Sequence, residues 1–257
     1  MNDDHESLAR DVLELHGETH AALEPVTIGM SEASVFRAGA TFVKVATGTA
    51  ATALRDEAAR TQWLAARGIH VPLLLRIDDR GGSIAVLMAA MAGVPADESP
   101  LPTPVFVQRL GQALAELHAL PIAPCPFDES VTVRLARAQA AIDKGDVNPS
   151  DFEPRNRKTK PADLLHRLRS EQPRDDIVVL HGDATLGNII IDGNGIPGFI
   201  DCGNAGRGGR YTDLVLLHAD IVEHRGVDAG AQFLAAYGAQ DFDTAKARFY
   251  LDLYELF

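Results

Sequence analysis

Two stretches of sequence decide the fold of this chain: His181-Gly182-Asp183-Ala184-Thr185-Leu186-Gly187-Asn188 and Ile200-Asp201-Cys202-Gly203. Between them, short apolar runs flank Gly193-Asn194-Gly195, which is a strong signal for the turn of a β-hairpin. Pairing about Asn194 brings Asn188 and Asp201 to the same open end of that hairpin. The sequence therefore predicts a hairpin that directly follows the Asp183 loop and gathers polar side chains at one end.

These polar side chains have the chemistry that phosphoryl transfer requires. Asp183 can accept or orient the proton of a hydroxyl group, and Asn188 and Asp201 can supply oxygen ligands to a Mg²⁺ ion that bridges phosphates. Asp, Asn and Gly are also common in turns, so either motif alone is better explained as loop structure. Their coincidence around one hairpin favours a phosphoryl-transfer site.

A second pair of charged residues lies in the first third of the chain. Lys44 belongs to the apolar strand 42–45, where an unpaired ammonium group would be costly. Glu57 falls on the apolar stripe of the helix predicted over residues 50–67, so it points inward and needs a partner. Kinases use such a lysine and glutamate to position the α- and β-phosphates. These residues alone also allow a solvent-facing lysine on an edge strand and a glutamate at the rim of the stripe.

The chain divides into a strand-rich first part and a helical remainder. Short β-branched segments around one helix predict a small antiparallel sheet in residues 1–89, and the kinase-like pair of Lys44 and Glu57 in this part makes it the expected nucleotide-binding lobe. Helical periodicity dominates afterwards, which predicts a larger helical lobe in residues 90–257. The fold class is therefore α+β and bilobal, with a hinge near 89–93 and a ligand cleft between the lobes. The helices expected in the second lobe cover residues 105–120, 131–144, 161–170, 211–224, 229–237 and a last segment from about 243.

The composition excludes several classes of protein. With 46% hydrophobic and 23% charged residues, it is that of an ordinary globular protein. No apolar run approaches the roughly 20 residues of a membrane-spanning helix, and the acidic N-terminus resembles neither a secretory signal nor a presequence. The two cysteines, Cys125 and Cys202, have no metal-ligand spacing and suit a reducing cytosol. We therefore expect a soluble cytoplasmic protein.

The net charge of −12 bears on the partners of the protein. It disfavours nucleic acid and anionic membranes, because phosphate groups attract Lys and Arg. It is compatible with a polycationic substrate, although many acidic proteins owe their charge to solubility alone. The expected oligomeric state is a monomer or a weak homodimer.

Several other polar or aromatic residues have predicted roles. The turn 29–34 lies upstream of Lys44 and can cradle a phosphate with its N–H groups, although it matches no phosphate-binding repeat. Asp213 begins a helix and is expected to accept N–H groups from the 181–188 loop. We expect the remaining candidates to be structural, namely His118 at a helix end, His181 as a loop-fixing residue and Trp63 in packing.

The chain resembles the aminoglycoside 3′-phosphotransferases, within the wider family of kinase-like phosphotransferases. The His-Gly-Asp-x4-Asn motif indicates only an ATP-dependent kinase of small molecules, whereas Cys125–Asp128 and the ending Glu255-Leu256-Phe257 indicate the narrower aminoglycoside group. The resemblance runs over nearly the whole chain, through residues 26–29, 56–60, 125–128, 181–188, 198–203, 210–213 and 255–257.

The resemblance implies a protein-kinase-like fold and an enzyme that phosphorylates an aminoglycoside hydroxyl, by family preference the 3′-hydroxyl, and so confers resistance. It implies ATP and Mg²⁺ as the nucleotide and the metal. The implied roles are Asp183 as base, Asn188 and Asp201 as metal ligands, Lys44 and Glu57 at the phosphates, Ser31 at a phosphate through its backbone, and Ala90 and Ala92 at adenine. The implied substrate carboxylates are Asp151, Glu153, Glu223, Glu255 and the terminal carboxylate of Phe257.

Four departures from the family pattern concern the substrate pocket. Asn204 and Ala219 stand where the family usually has arginine, and Tyr254 stands where an acidic residue is usual. The stretch 155–160 is basic where an acidic loop is usual, which should repel a polycation. We therefore expect activity on a particular aminoglycoside to be weak or altered.

Two alternatives to this function remain from the sequence. One is an ATP-dependent kinase of another small amine or alcohol metabolite with the same fold. The other is an inactive nucleotide-binding or scaffolding protein, which the intact set of Lys44, Glu57, Asp183, Asn188 and Asp201 disfavours.

Overall fold

The computed structural model describes residues 2–18, 22–26, 33–174 and 176–257. The chain forms two compact units, residues 1–94 with 190–203 and residues 95–189 with 204–257. The sequence places the boundary after Ala89 and assigns the whole hairpin to the second lobe. The structure instead groups 190–203 with the first unit, where Phe199 N–H donates to the carbonyl oxygen of His70 at 2.8 Å. The functional assignment of the two units stays a prediction.

The first unit is built on an antiparallel sheet with strand order β1-β2-β3-β5-β4. Its sequence supplies β-branched and apolar residues on either side of a tight turn, where Gly39 has a φ of 60° that favours glycine. The strands are β1 (Glu24–Val26), β2 (Ser34–Ala38), β3 (Thr41–Thr47), β4 (Leu74–Asp79) and β5 (Ser83–Ala89).

Each face of this sheet is covered by a helix, because side chains alternate along a strand. Val43 and Val45 of β3 pack with α1 (Asn2–His16) in one core cluster. Ile84 and Val86 of β5 pack with α2 (Thr49–Ala65) in another. Lys44 lies between the two valines in sequence, so it belongs to the α2 face of the sheet.

The helix α1 was not predicted from the sequence, which indicated one helix in this part of the chain. Its apolar residues are few, but Ala9, Val12 and Leu13 follow helical spacing and are at most 2% exposed. A short, otherwise polar helix of this kind is stable only through its contacts with the sheet. Tertiary packing therefore decides its existence.

The second unit is helical, and its helices agree with the predicted segments to within about two residues at each end. Apolar residues of α4, α5, α6 and α8 form one buried core cluster, which includes Phe152, Leu164 and Tyr211. The helices are α3 (Thr103–His118), α4 (Val131–Lys144), α5 (Pro161–Ser170), α6 (Tyr211–Arg225), α7 (Val227–Tyr237) and α8 (Thr244–Tyr254).

Short strands hold the loops that carry the sequence motifs. β7 (Ile177–Leu180) pairs antiparallel with β10 (Gly206–Gly209), and a three-stranded sheet has the order β6-β8-β9. Its strands are β6 (Val94–Pro95), β8 (Ile189–Ile191) and β9 (Pro197–Phe199).

The hairpin turn predicted about Asn194 is confirmed. Asp192 N–H donates to the carbonyl oxygen of Ile196 at 3.1 Å, and the Asp192 carboxylate accepts the N–H groups of Asn194 and Ile196 at 2.8 Å each.

Within the described residues, no helix is both long enough and apolar enough to cross a membrane.

Candidate active site

In the first unit, the Lys44 ammonium group joins two carboxylates. It donates to Glu57 Oε1 at 2.6 Å and also to Asp201 Oδ1. The Lys44 side chain is only 12% exposed, so both contacts form in partly buried surroundings. The pair of Lys44 and Glu57 that the sequence predicts is therefore present, and the alternative of a solvent-facing lysine is wrong.

The two carboxylates keep Lys44 charged. Burial by itself would lower the pKa of this lysine, but the attraction of Glu57 and Asp201 outweighs it, so the pKa lies well above its ordinary value. A lysine held in this way remains a cation at every pH at which the protein works. It is suited to bind an anionic group such as a phosphate.

Asp201 has an unusual backbone conformation. Its φ of 55° makes it the one non-glycine residue with a positive φ in the described part of the chain. Such a conformation is uncommon for a residue with a Cβ atom and is found most often at functional sites. Here it is the second residue after β9 and holds a carboxylate that is 49% exposed.

In the second unit, the Asp183 carboxylate has a hydrogen bond at each oxygen. Asn188 Nδ2 donates to Oδ2 at 2.9 Å and to the Asp183 carbonyl oxygen at 3.0 Å. The Tyr254 hydroxyl donates to Oδ1 at 3.0 Å. The sequence predicted the neighbourhood of Asp183 and Asn188, but it gave no sign of the contact with Tyr254.

The backbone of the Asp183 loop is anchored by Asp213, as predicted. The Asp213 carboxylate is fully buried at the start of α6 and accepts the N–H groups of His181 at 2.6 Å and Gly182 at 2.7 Å. His118 Nε2 also bonds to it at 3.1 Å. Burial alone would raise the pKa of Asp213, but the bonds from His118 and the loop outweigh it and lower this pKa. The aspartate therefore stays ionised and holds the loop.

The predicted structural roles of three other residues are confirmed. His118 Nδ1 bonds to the Tyr237 hydroxyl at 2.7 Å, which fixes the ring beneath Asp213. Asp183 N–H donates to His181 Nδ1 at 3.3 Å, so His181 holds the loop. Trp63 packs under the Arg67 guanidinium, 3.5 Å from the ring centre.

Gly182 allows the loop to turn where it does. Its φ of 89° favours glycine, and a Cβ atom there would lie 2.6 Å from the Cβ atom of Asn204. The close approach of these two backbone segments explains why the motif needs glycine between the histidine and the aspartate.

Two further anchors of the loop were missed from the sequence. The half-buried Asp220 of α6 accepts Leu186 N–H at 2.8 Å, and the pKa of Asp220 is raised mainly by burial. Arg134 of α4 is 5% exposed and donates to the Gly182 carbonyl oxygen at 3.2 Å. Asp213 and Asp220 are seven residues apart, which puts them on one face of a helix, and this spacing is the signal that could have found Asp220.

The predicted adenine contacts lie in the first unit. Ala90 N–H donates to the Ala40 carbonyl oxygen at 2.9 Å, so it is already used. The Ala90 carbonyl oxygen and the Ala92 N–H make no hydrogen bond in the part of the chain that the structure describes. These two main-chain groups remain available to a ligand. The predicted phosphate contact Ser31 lies outside the described residues.

The predicted substrate carboxylates fall into two groups. Asp151, Glu153 and Glu223 are exposed, and Phe257 is 52% exposed. Glu255, in contrast, is held inside the protein, where its Oε2 accepts a bond from Asn156 Nδ2 at 3.0 Å and its Oε1 lies 3.6 Å from Arg155. Burial raises the pKa of Glu255.

The basic stretch 155–160 is tied to the terminal helix by a buried aspartate that the sequence did not single out. Asp252 of α8 is 3% exposed and accepts hydrogen bonds from Arg155, Asn156 and Arg167 at 2.7 to 3.0 Å. The cations of this stretch and of α5 therefore neutralise the acidic end of the chain.

Each unit carries an oxygen donor of the kind that a magnesium ion prefers. No group of three His, Cys, Asp or Glu side chains is arranged to hold a metal among the residues that the structure describes. The candidate donors are the Asp201 carboxylate and the Asn188 amide oxygen, which is left over because the amide nitrogen bonds to Asp183. Mg²⁺ takes one or two such protein ligands and completes its shell with phosphate and water oxygens.

The chain is similar in sequence to known phosphotransferases over most of its length. Residues 22–250 match the model of a family described as the phosphotransferase enzyme family, APH. An aminoglycoside 3′-phosphotransferase of Niallia circulans is 31% identical over an alignment that covers all of both chains. The streptomycin 3″-kinase of Streptomyces griseus is 34% identical over 89% of both chains.

Solved structures of a phosphotransferase are also similar to this chain. The aminoglycoside phosphotransferase APH(3″)-Id from Streptomyces rimosus has a TM-score of 0.85 at 32% identity, with 97% of this chain and 98% of that chain covered. The structure of the same protein in complex with ADP and streptomycin has a TM-score of 0.82 at 31% identity, with the same coverage. These similarities confirm the predicted α+β kinase-like fold.

Proposed function

The chain belongs to the phosphotransferase enzyme family, and on this premise we propose that it transfers the terminal phosphate of ATP to a hydroxyl group of an aminoglycoside antibiotic, in the first place the 3′-hydroxyl. Such a reaction inactivates the antibiotic and confers resistance. The proposal is supported by relatives with that activity in their names, whose alignments cover 100% and 90% of this chain. It also rests on one feature of the site, the Asp183 carboxylate.

Asp183 is the proposed catalytic base. Its carboxylate sits on a loop whose backbone is held by Asp213 and Asp220, and Asn188 fixes one of its two oxygens. The other oxygen can accept the proton of the attacking hydroxyl. In phosphoryl transfer most of the catalytic effect comes from positioning and charge, so a rigidly held carboxylate is the feature that matters.

The first unit supplies the proposed phosphate contacts. Lys44 is kept charged by Glu57 and Asp201 and binds the α- and β-phosphates. Ser31 is proposed to contact a phosphate through its backbone. Adenine is recognised by the two free main-chain groups of Ala90 and Ala92.

Asn188 and Asp201 are the proposed ligands of Mg²⁺. When bound, the ion neutralises the charge that builds up on the transferred phosphoryl group. Lys44 donates to Glu57 and Asp201 in the same unit, and a phosphate oxygen bound at Lys44 would take the place of the Asp201 contact.

The acceptor is held by carboxylates of the second unit. Asp151, Glu153 and Glu223 are exposed and can pair with ammonium groups, as can the terminal carboxylate of Phe257. Glu255 also belongs to this predicted set, but its present bonds to Asn156 and Arg155 reduce the charge that it offers. A weaker acidic surface favours acceptors with fewer ammonium groups.

A second candidate function is phosphorylation of streptomycin. It is favoured by the streptomycin 3″-kinase relative and by the structure in complex with ADP and streptomycin, both of which match this chain as well as the 3′-enzymes do. The two candidates share the nucleotide site and differ in the acceptor hydroxyl.

A coupled ADP-release assay distinguishes the two functions. We expect Mg²⁺-dependent ADP release with kanamycin and none above background with its 3′-deoxy counterpart, because the latter lacks the attacking group. Turnover of streptomycin alone would support the second candidate. An absence of turnover with every aminoglycoside, while other small alcohols or amines are phosphorylated, would contradict both.

The variant Asp183→Asn tests the mechanism. It should lower kcat by about 10²- to 10⁴-fold with little change in the KM for ATP, because only the base is removed. The matched control is Asp143→Asn, an exposed carboxylate of α4 whose loss should leave turnover unchanged. Full activity of the Asp183 variant would eliminate Asp183 as the base.

A further inference from the structure

The residue Tyr254 links the end of α8 to the proposed base. Its hydroxyl donates to Asp183 Oδ1 at 3.0 Å, across 71 positions of sequence within the same compact unit. The sequence shows only that this position departs from the acidic residue usual in the family. The contact gives the departure a chemical meaning, since an acidic residue could not donate such a bond while ionised.

The two oxygens of Asp183 are both occupied in this structure. Oδ2 accepts from Asn188, and Oδ1 accepts from Tyr254. An acceptor alcohol has to donate its proton to the same carboxylate, and Oδ1 is the oxygen that Asn188 leaves open. Oδ1 has two lone pairs, so an acceptor alcohol competes with the phenol for the lone pair of Oδ1 to which the Tyr254 hydroxyl donates.

Tyr254 is able to leave this position without disturbing the fold. Its neighbours Leu253 and Leu256 are 1% and 0% exposed and anchor the backbone, whereas Tyr254 itself is 37% exposed. Rotation of the side chain about χ1 therefore moves the hydroxyl away while the end of α8 stays in place. Burial, and then the nearby Asp183, raise the pKa of Tyr254, so the phenol remains a hydrogen-bond donor well into the alkaline range.

We propose that the Tyr254 hydroxyl occupies the position of the acceptor hydroxyl in the free enzyme and that an acceptor must displace it. Tyr254 is then a specificity-determining residue. An acceptor that places its hydroxyl well displaces the phenol, and a poorly placed one does not. The inference rests on the proposed role of Asp183.

A second consequence concerns water. A water molecule bound at Oδ1 would be activated in the same way as an acceptor alcohol and would hydrolyse ATP to ADP and phosphate, with its proton passing to Asp183. The phenol excludes water from this oxygen. Tyr254 should therefore suppress ATP hydrolysis in the absence of an acceptor.

The variant Tyr254→Phe removes the hydroxyl and keeps the ring. We expect it to lower the KM for the acceptor by roughly threefold to tenfold, the factor that corresponds to one net hydrogen bond, with kcat maintained. ADP release without acceptor should rise by about threefold or more for the same reason. Tyr254→Ala should increase acceptor-free ADP release further, because it also removes the ring. Thermal unfolding of both variants checks that the fold is kept.

Other outcomes would overturn the proposal. A fall in kcat with an unchanged KM, together with a shifted pH profile, would make Tyr254 a positioning residue that orients Asp183. Kinetics of Tyr254→Phe identical to those of the wild type, with and without acceptor, would leave the contact without a role in catalysis. Failure of the proposed function itself is distinct, since wild-type enzyme would then show no aminoglycoside-dependent ADP release.

Discussion

Two buried aspartates of the second unit, Asp213 in α6 and Asp252 in α8, anchor two different loops. Asp213 accepts backbone N–H groups from the Asp183 loop. Asp252 accepts side-chain groups of Arg155, Asn156 and Arg167. Both residues are at most 3% exposed, so each carboxylate needs hydrogen-bond partners in the interior.

The two aspartates differ in which groups of their loops they bind. Asp213 accepts main-chain donors of its loop and a bond from His118, so its contacts do not use the Asp183 carboxylate. Asp252 forms ion pairs with Arg155 and with Arg167 of α5, and Arg155 also lies 3.6 Å from Glu255. Of the stretch 155–160, Arg155 and Asn156 are thus held against α8, where Arg155 also neutralises part of the charge of Glu255, whereas Arg157, Lys158 and Lys160 stay exposed. Asp213 holds the loop of the proposed base Asp183, whereas the contacts around Asp252 bring Arg155 close to Glu255 and reduce the charge that Glu255 can offer.

Of the changes at the two anchors and their partners, the largest effect is expected from Asp213→Asn. The amide offers one acceptor where the carboxylate offers two, so a loop N–H group is left unsatisfied at a cost of about 1–3 kcal/mol. Displacement of Asp183 should lower kcat by about 100-fold, with the KM for the acceptor changed less. Steady-state kinetics and urea unfolding measure both effects.

Asp176→Asn is the matched control, because Asp176 pairs with Arg210 in the same unit but is 56% exposed. It should behave like the wild type. If the Asp213 variant retained wild-type kcat, the loop would not depend on this anchor.

Asp252→Asn should affect stability more than chemistry. Removing the charge leaves Arg155 and Arg167 without their partner, and because their side chains are about one third exposed, we expect a loss of about 1–3 kcal/mol in the free energy of unfolding. The KM for the acceptor should change, while the KM for ATP stays constant. An equal change in both KM values would contradict a separate role for this anchor.

Acid should weaken the Asp213 anchor in a defined direction. The pKa of Asp213 is lowered in the folded protein, so its stabilising contribution is fully present above the ordinary aspartate pKa of 3.8 and is lost as the pH falls through the folded value. The difference in unfolding free energy between wild type and Asp213→Asn should therefore be constant from pH 7 to about pH 5 and shrink below about pH 4. A difference that grows on acidification would have the wrong sign.

The smallest effect is expected from Arg155→Gln. Loss of this cation leaves the negative charges of Glu255 and Asp252 less compensated. The KM for a cationic acceptor should therefore fall by about 1.5- to 5-fold, and less at high salt. Lys158→Gln is the control, because Lys158 has the same charge and is exposed in the same stretch. An equal fall in both variants would indicate a general field rather than release of the two carboxylates.

Much of the nucleotide side of the site could be predicted from the sequence. The apolar strand around Lys44 predicted that its ammonium group needs a partner, helical spacing placed Glu57 inward, and the turn at Asn194 set the register of the hairpin. These are local rules with a period of a few residues, so they can be applied without knowledge of the fold. The helix α1 escaped them because its stability comes from the sheet.

The acceptor side could not be predicted in the same way. Glu255 matched a substrate residue in the sequence, yet its charge is shared with Asn156 and Arg155, about 100 positions away. In the sequence, Tyr254 is only a departure from the acidic residue usual at this position. Its hydrogen bond to Asp183 depends on the tertiary structure.

The sequence by itself determined the division into a strand-rich and a helical part, the hairpin and the identity of the groups suited to phosphoryl transfer, because their signals lie in short segments whose periodicity and turn residues dictate local structure. The kinase-like fold followed from the family resemblance. Only the tertiary structure decided which charges remain available to an acceptor. The strength of a carboxylate as a ligand depends on the partners that surround it in space, and residues far apart in the chain supply these partners.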